Sequence, residues 1–242
     1  MEEKFDALVL RAVDYKDNDK ILTLFAAGKG KMTAGGKGVR KATAQLKVAA
    51  QPFCFAEYVF AERAGRYTVT SAFLHDGFYP LRQDLTKFYA AAAVCEVCDG
   101  VLPEGLPADN LFISAIKTLQ KLCDETAEPA LPLLSFLLDT LRFAGYGLTL
   151  DGCVECGEEI KDGGYFDFER GGFTCSECPP PTGVGARASE VTYHALRYAA
   201  GKEEKAPTAD GVKRALRLLK AYFAQKAEIK QDCLGEFIRL LP

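Results

Sequence analysis

Cys153-Val-Glu-Cys156-Gly and Cys175-Ser-Glu-Cys178-Pro are two C-x-x-C pairs with 18 residues between them. This is the spacing of a four-thiolate zinc site, because each pair wraps a turn that points both sulfurs at one ion. Such a site ties residues from about 150 to 183 into a compact module. Tyr165, Phe166, Phe168 and Phe173 supply its apolar backing, and one Zn2+ ion substitutes for a core in a segment too short to have one. Four cysteines fill the tetrahedron and leave no open position for a reactive water, so the expected zinc is structural. The zinc-deaminase pattern fails as well: no H-x-E element precedes the second pair, and Cys175 follows threonine.

The chain has nine cysteines, an odd number, and nothing at its start reads as a secretory signal, since MEEKFDALVL begins acidic. A disulfide framework is therefore the weaker use for them. Cys95 and Cys98 form a third C-x-x-C, but within the alanine-rich helical pattern AAAAVCEVCDG, where burial in a core is expected. Cys54, Cys123 and Cys233 read as packing residues, and His75 and His194 as structural histidines. No run reaches the 18 or so apolar residues of a membrane helix. The expectation is a cytoplasmic, nucleoid-associated protein with no membrane partner.

From Phe5 to Phe78 the sequence shows short alternating runs broken by turn residues. Five strands are expected: DALVLRAVDY, KILTLFAA, GKMTAGGKG, PFCFAEYVFAE and GRYTVTSAFL. Five strands in about 75 residues, with no room for a crossover helix, predict a small closed barrel of the OB or SH3-like kind. After Pro80 the period becomes helical, at 81–99, 111–122, 131–143, 187–200, 209–227 and 233–240. The fold class is α+β: a barrel at 1–79, then a helical domain at 80–242 that carries the cysteine module as an insert.

The segment GKGKMTAGGKGVRK, residues 28 to 41, has the glycines and lysines of a phosphate site. A Walker A loop would need Gly at 31 and Ser or Thr at 38, where Lys31 and Gly38 stand; the dinucleotide fingerprint would need Gly at 33, which is Thr33. Both counts argue against nucleotide binding. Net charge is −3 overall, but residues 1 to 80 hold 12 basic against 9 acidic residues and the remainder 18 against 24. Between Gly28 and Ala56 there are six basic residues and no acid. Lys29, Lys31, Lys37, Arg40 and Lys41 thus read as a track along a nucleic-acid backbone. Phe53, Phe55, Tyr58 and Tyr67 are candidate stacking surfaces, although strand aromatics more often face inward.

The order of these parts resembles the bacterial RecO recombination mediators over nearly the whole chain. The resemblance rests on Leu8-Val9-Leu10 with Asp14-Tyr15 and Asp19, the strand Ile21 to Phe25, Gly30-Lys31, and Lys37-Gly38-Val39-Arg40. It continues through Leu81-Arg82-Gln83-Asp84-Leu85 with Tyr89, Gly145-Tyr146 and the Cys153-x-x-Cys156-Gly opening. It implies an OB-fold, a helical domain and a zinc-ribbon-like module in a protein without catalytic residues. Such proteins bind single- and double-stranded DNA, anneal complementary strands and help load RecA onto DNA covered by single-strand-binding protein. The implied partners are RecR, in many cases RecF, and the acidic tail of single-strand-binding protein. Lys37 and Arg40 fall in the barrel loop that meets DNA.

An acidic tail with an apolar end needs an apolar groove beside a cation. Arg142, Phe143 and Tyr146 are one candidate. The helix DGVKRALRLLKAYFAQK, with Lys213, Arg214, Arg217, Lys220 and Lys226, is another. Two other classes stay open at this point: a zinc-ribbon RNA- or DNA-processing enzyme, against which stands the absence of a convergent His, Ser or carboxylate motif, and a protein-interaction adaptor whose basic track meets an acidic peptide.

Overall fold

The computed structural model describes residues 2–41, 45–126, 128–181 and 183–242. Residues 42–44, part of the acid-free run, lie outside the described residues. Two compact units emerge, Met1–Ala127 and Glu128–Pro242.

In the first unit, β1 (Glu2–Tyr15), β2 (Asp19–Ala26), β3 (Gly30–Gly36), β4 (Phe55–Arg63) and β5 (Arg66–Asp76) close a barrel in the order β1-β2-β3-β5-β4. All pairings are antiparallel except the short β3–β5 seam from Ala34↔Tyr67 to Gly36↔Val69. One strand serves two neighbours: β1 pairs with β4 up to Leu8↔Phe55, shifts register between Val9 and Arg11, and continues along β2 to Tyr15↔Asp19. A bulge of this kind bends a strand enough to close a small barrel. The strand begins four residues earlier than its alternation predicts: its charged start looks like a tail, but it pairs with β4, where Lys4, opposite Val59, reaches Glu57 as an ion pair at 2.7 Å.

The barrel is filled by Val9, Leu22, Leu24, Tyr58 and Phe60, all 1 % exposed or less. Tyr58 satisfies its hydroxyl by donating to the Ala49 carbonyl at 2.7 Å, which fixes the β3–β4 connection over the barrel end. Arg82 clamps the same connection, donating to the carbonyls of Pro52, Gly77 and Phe78 while its guanidinium lies 5.3 Å from the Phe53 ring centroid. Asp84 then caps α1 (Leu85–Val101) by accepting from the Lys87 N–H at 2.8 Å. The Leu81-to-Leu85 motif is thus a structural joint. Cys95 and Cys98 are buried in α1 and Cys54 in the barrel core, as packing residues should be.

α1 and α2 (Asp109–Cys123) group with the barrel, although the sequence assigns them to the helical domain. Phe112 of α2 packs edge-on to Phe25 and Phe55 and Phe88 of α1 to Phe53, and the α1–α2 loop adds to the β3 edge through the bridge Lys31↔Glu104 and the bond from Gly105 N–H to the Lys31 carbonyl at 2.9 Å. Asp109 also accepts from the Gly28 N–H at 2.8 Å. This pairing covers an edge that would otherwise be open.

The second unit holds α3 (Ala130–Phe143), a small sheet of β6 (Gly164–Asp167), β7 (Gly172–Thr174) and β8 (Gly185–Ala188) in the order β7-β6-β8, then α4 (Glu190–Ala199), α5 (Ala209–Lys226) and α6 (Asp232–Leu240). The helix expected from residue 187 starts at Glu190 instead. Residues 185 to 188 pair with β6, from Asp167↔Gly185 to Gly164↔Ala188. The cysteine module is also less self-contained than expected. Phe166 and Phe173, both fully buried, meet Tyr222 of α5 and Tyr193 of α4 at ring distances of 5.3 and 4.8 Å, so helices supply part of its core. No described helix is long and apolar enough to cross a membrane.

Candidate nucleic-acid interface and metal centre

The four cysteines of the two pairs converge, with every sulfur within 4.8 Å of every other. Each pair closes a turn: Gly157 N–H donates to the Cys153 carbonyl at 2.8 Å, and Cys178 N–H to the Cys175 carbonyl at 3.2 Å. Gly157 has φ +80, a conformation that costs glycine little. The Sγ atoms of Cys156 and Cys175 are 3.8 Å apart. A tetrahedron with Zn–S bonds of about 2.3 Å has an edge of ~3.8 Å, so the donor set fits a zinc-sized ion.

The electrostatics point the same way. Burial raises the Cys153 thiol, but backbone N–H groups of Cys156, Cys175 and Glu155 aimed at its sulfur outweigh that and bring it down to about 6. Cys178 is pushed up to about 12, first by its hydrogen bond with Cys175, then by burial and by Cys156. One thiolate forms readily while Cys156 and Cys178 resist ionising, a conflict that a shared cation removes. Neither histidine joins the cluster. His75 pairs with Asp6 at 2.7 Å, and His194 stands on α4.

On the barrel, cross-strand register decides which side chains share the outer face. Val13↔Ile21, Ile21↔Gly35 and Gly35↔Thr68 are opposite one another in turn, as are Arg11↔Thr23 and Thr23↔Thr33. Along these rows Val13 and Tyr15 stand 48 % and 49 % exposed, whereas Thr23 is buried. The four aromatics singled out from sequence are elsewhere. Phe53 and Tyr58 are buried, Phe55 packs on His75 and Phe112, and Tyr67 packs edge-on to Phe5 and Phe60. In the sequence Tyr15 reads as the last residue of its strand and as part of the Asp14-Tyr15 pair of the resemblance, not as a stacking surface.

The five basic residues of the track divide into two groups. Lys29 and Lys31 lie at the start of β3 and are engaged: Lys29 with Glu3 at 2.7 Å, and Lys31, only 17 % exposed, with the Asp99 carbonyl at 2.6 Å and its carboxylate at 3.5 Å. Lys37, Arg40 and Lys41 lie beyond the end of β3, all exposed. β3 stops at Gly36, two residues short of expectation, because the chain turns at Gly38 (φ +65) and drives Val39, 2 % exposed, into the barrel end. The loop abuts the β1–β2 turn, where Gly38 N–H donates to Asp19 Oδ1 at 2.8 Å and Arg40 N–H to the Asn18 carbonyl at 3.0 Å. Among the described residues, neither Lys37 nor Lys41 is in an ion pair. The turn's own Lys16, and Arg63 and Arg66 of the β4–β5 turn, are exposed too. In OB-folds the β2–β3 face together with these two turns is the side that holds oligonucleotides.

In the second unit, Arg142, Phe143 and Tyr146 come together where α3 ends. Arg142 pairs with Asp139 at 3.3 Å, and the two rings are 41 % and 37 % exposed. A cavity of about 430 Å³ opens between α5 and α6, lined by Ala221, Ala224, Gly235 and Ile238 together with Arg217, Lys220 and Arg239, the last paired with Glu236.

A closed barrel with the OB strand order is followed by helices and a small sheet that carries a four-cysteine centre, the architecture of an OB-fold protein with an appended metal module. Two family models cover most of the chain: Recombination protein O N terminal at residues 1–78 and Recombination protein O C terminal at 82–232. A DNA repair protein RecO of Clostridium perfringens is 31% identical over 191 residues, 79% of this chain and 77% of the relative. Those of Acetivibrio thermocellus and Desulforamulus reducens are 30% identical over 195 residues (81% and 78%) and 34% over 176 (72% and 68%). The chain belongs to the Recombination protein O family.

Proposed function

We propose that this chain is a non-enzymatic recombination mediator in DNA repair. It binds single- and double-stranded DNA, anneals complementary strands and, with RecR and in some settings RecF, helps RecA onto DNA covered by single-strand-binding protein. The observation that carries the reading is the outer barrel face: Val13 and Tyr15 are exposed, and in the neighbouring loop Lys37 and Lys41 are exposed while Arg40 is paired with Asp14. An exposed tyrosine offers a base a stacking partner worth about 1–3 kcal/mol, and the cations follow the phosphates without reading sequence. The DNA-binding division is residues 1–79; Lys29 and Lys31 support it mainly by fixing the β3 edge. The metal is zinc and its role is structural.

The acidic tail of single-strand-binding protein docks between α5 and α6. That cavity sets an apolar lining beside Arg217 and Lys220, the chemistry such a tail requires. Arg142, Phe143 and Tyr146 form the second candidate surface.

Annealing of complementary oligonucleotides, followed by fluorescence quenching, tests the mediator reading. Wild type is expected to accelerate annealing of any sequence without consuming nucleotide, and Lys37→Ala with Lys41→Ala to slow it by about tenfold for all sequences alike. Wild type without effect on the spontaneous rate would refute it.

A further inference from the structure

Arg40, the one arginine of the basic loop, is already engaged. Its Nη2 lies 3.2 Å from Asp14 Oδ2, and its Nη1 reaches the carbonyls of Lys16 and Asp17 at 3.4 and 3.3 Å. A carboxylate and two carbonyls therefore occupy the planar donor fork that a phosphate would take. The ring of partners is still open to exchange, because the Arg40 and Asp14 side chains are 39% and 57% exposed. The backbone holds the loop in place independently, through the bonds from Arg40 N–H to Asn18 and from Gly38 N–H to Asp19. Swapping the side-chain partner need not move the loop. Lys20 faces Asp14 directly across the β1–β2 ladder, yet Asp14 is ion-paired with Arg40.

We propose that Asp14 is an internal competitor for the Arg40 guanidinium, standing where a DNA phosphate would stand and so lowering the affinity of the barrel face. The proposal rests on the reading of residues 37 to 41 as a phosphate contact. Binding then exchanges one anionic partner of Arg40 for another instead of adding a new one. A strand held in this way is more easily passed on than one held by a free arginine.

Asp17 supplies the control. It belongs to the same acidic turn and carries the same charge, but it meets Arg40 only through its carbonyl. The experiment is anisotropy of a labelled single-stranded oligonucleotide at fixed moderate salt, for wild type, Asp14→Asn, Asp17→Asn, Arg40→Ala and Asp14→Asn with Arg40→Ala. Removing an exposed ion-pair partner is expected to tighten binding by about three- to fivefold in Asp14→Asn, against less than about twofold in Asp17→Asn. In the Arg40→Ala background the Asp14→Asn gain should fall to the Asp17→Asn level. An Asp14→Asn gain no larger than that of Asp17→Asn, or one that persists undiminished without Arg40, would overturn the competitor role while leaving the phosphate contact intact. Unchanged affinity in Arg40→Ala alone would overturn the phosphate contact itself, and the competitor with it.

Discussion

Replacing Cys153 and Cys175 by serine together is expected to abolish binding of one equivalent of zinc and to melt the second unit at far lower temperature while the barrel stays folded. The two substitutions take one ligand from each C-x-x-C turn. Cys153 is also the sulfur on which three backbone N–H groups converge, so its loss leaves those donors without their anion. Structural zinc contributes about 10–16 kcal/mol in isolated zinc-finger peptides at neutral pH. Here the effect is smaller, because Phe166 and Phe173 anchor the module to α5 and α4 through Tyr222 and Tyr193. Metal analysis and thiol titration read the first part: adding a chelator should make four further thiols of wild type reactive, beyond the buried Cys54, Cys95 and Cys98, and should change nothing in the variant. Loss of near-ultraviolet ellipticity from the two tyrosines reads the second. Wild type that carries no zinc and exposes all four thiols would contradict the metal centre.

The second large effect concerns one glycine. Gly30 has φ +75, and a Cβ built there would stand 1.9 Å from the carbonyl oxygen of Leu106. This close approach allows the α1–α2 loop to bridge β3 at Lys31↔Glu104. Gly30→Ala is expected to destabilise the first unit by about 3 kcal/mol or more, since left-handed strain and overpacking each cost about 1–3 kcal/mol. Gly28→Ala is the comparison. It has a similar φ of +67 but nothing within 4 Å of its added Cβ, so only the strain of about 1 kcal/mol should appear. Urea unfolding followed by circular dichroism separates the two; equal losses would mean that the loop contact contributes nothing.

The barrel was legible because its strands alternate and its turns are polar, and the four-cysteine centre because its spacing is set by metal geometry. Other features depend on contacts that no local pattern announces. Residues 187 and 188 look helical by period but belong to a strand, Gly185–Ala188, because β6 offers an unpaired edge. α1 and α2 read as part of the helical domain until Phe88, Phe112 and the Lys31↔Glu104 bridge tie them to the barrel. The orientation of the aromatics depends on register in the same way. Phe53, Phe55, Tyr58 and Tyr67 are the conspicuous aromatics, yet register turns them toward the core or onto neighbouring rings, while the same register leaves Val13 and Tyr15 outside. Charge alone likewise cannot tell Lys31, held by Asp99, from Lys37, which projects from its loop.

The claim at the centre of this account is that the barrel face with residues 37 to 41 holds the DNA backbone. The most direct measurement is anisotropy of a labelled single-stranded oligonucleotide, titrated at several salt concentrations between about 50 and 200 mM, for wild type and for Lys37→Ala with Arg40→Ala. The account predicts affinity that falls steeply with salt in wild type, and a logarithmic slope shallower by ~1.4 in the variant, from two lost phosphate contacts at about 0.7 each. Wild-type and variant slopes that coincide, or no binding at the lowest salt, would contradict it.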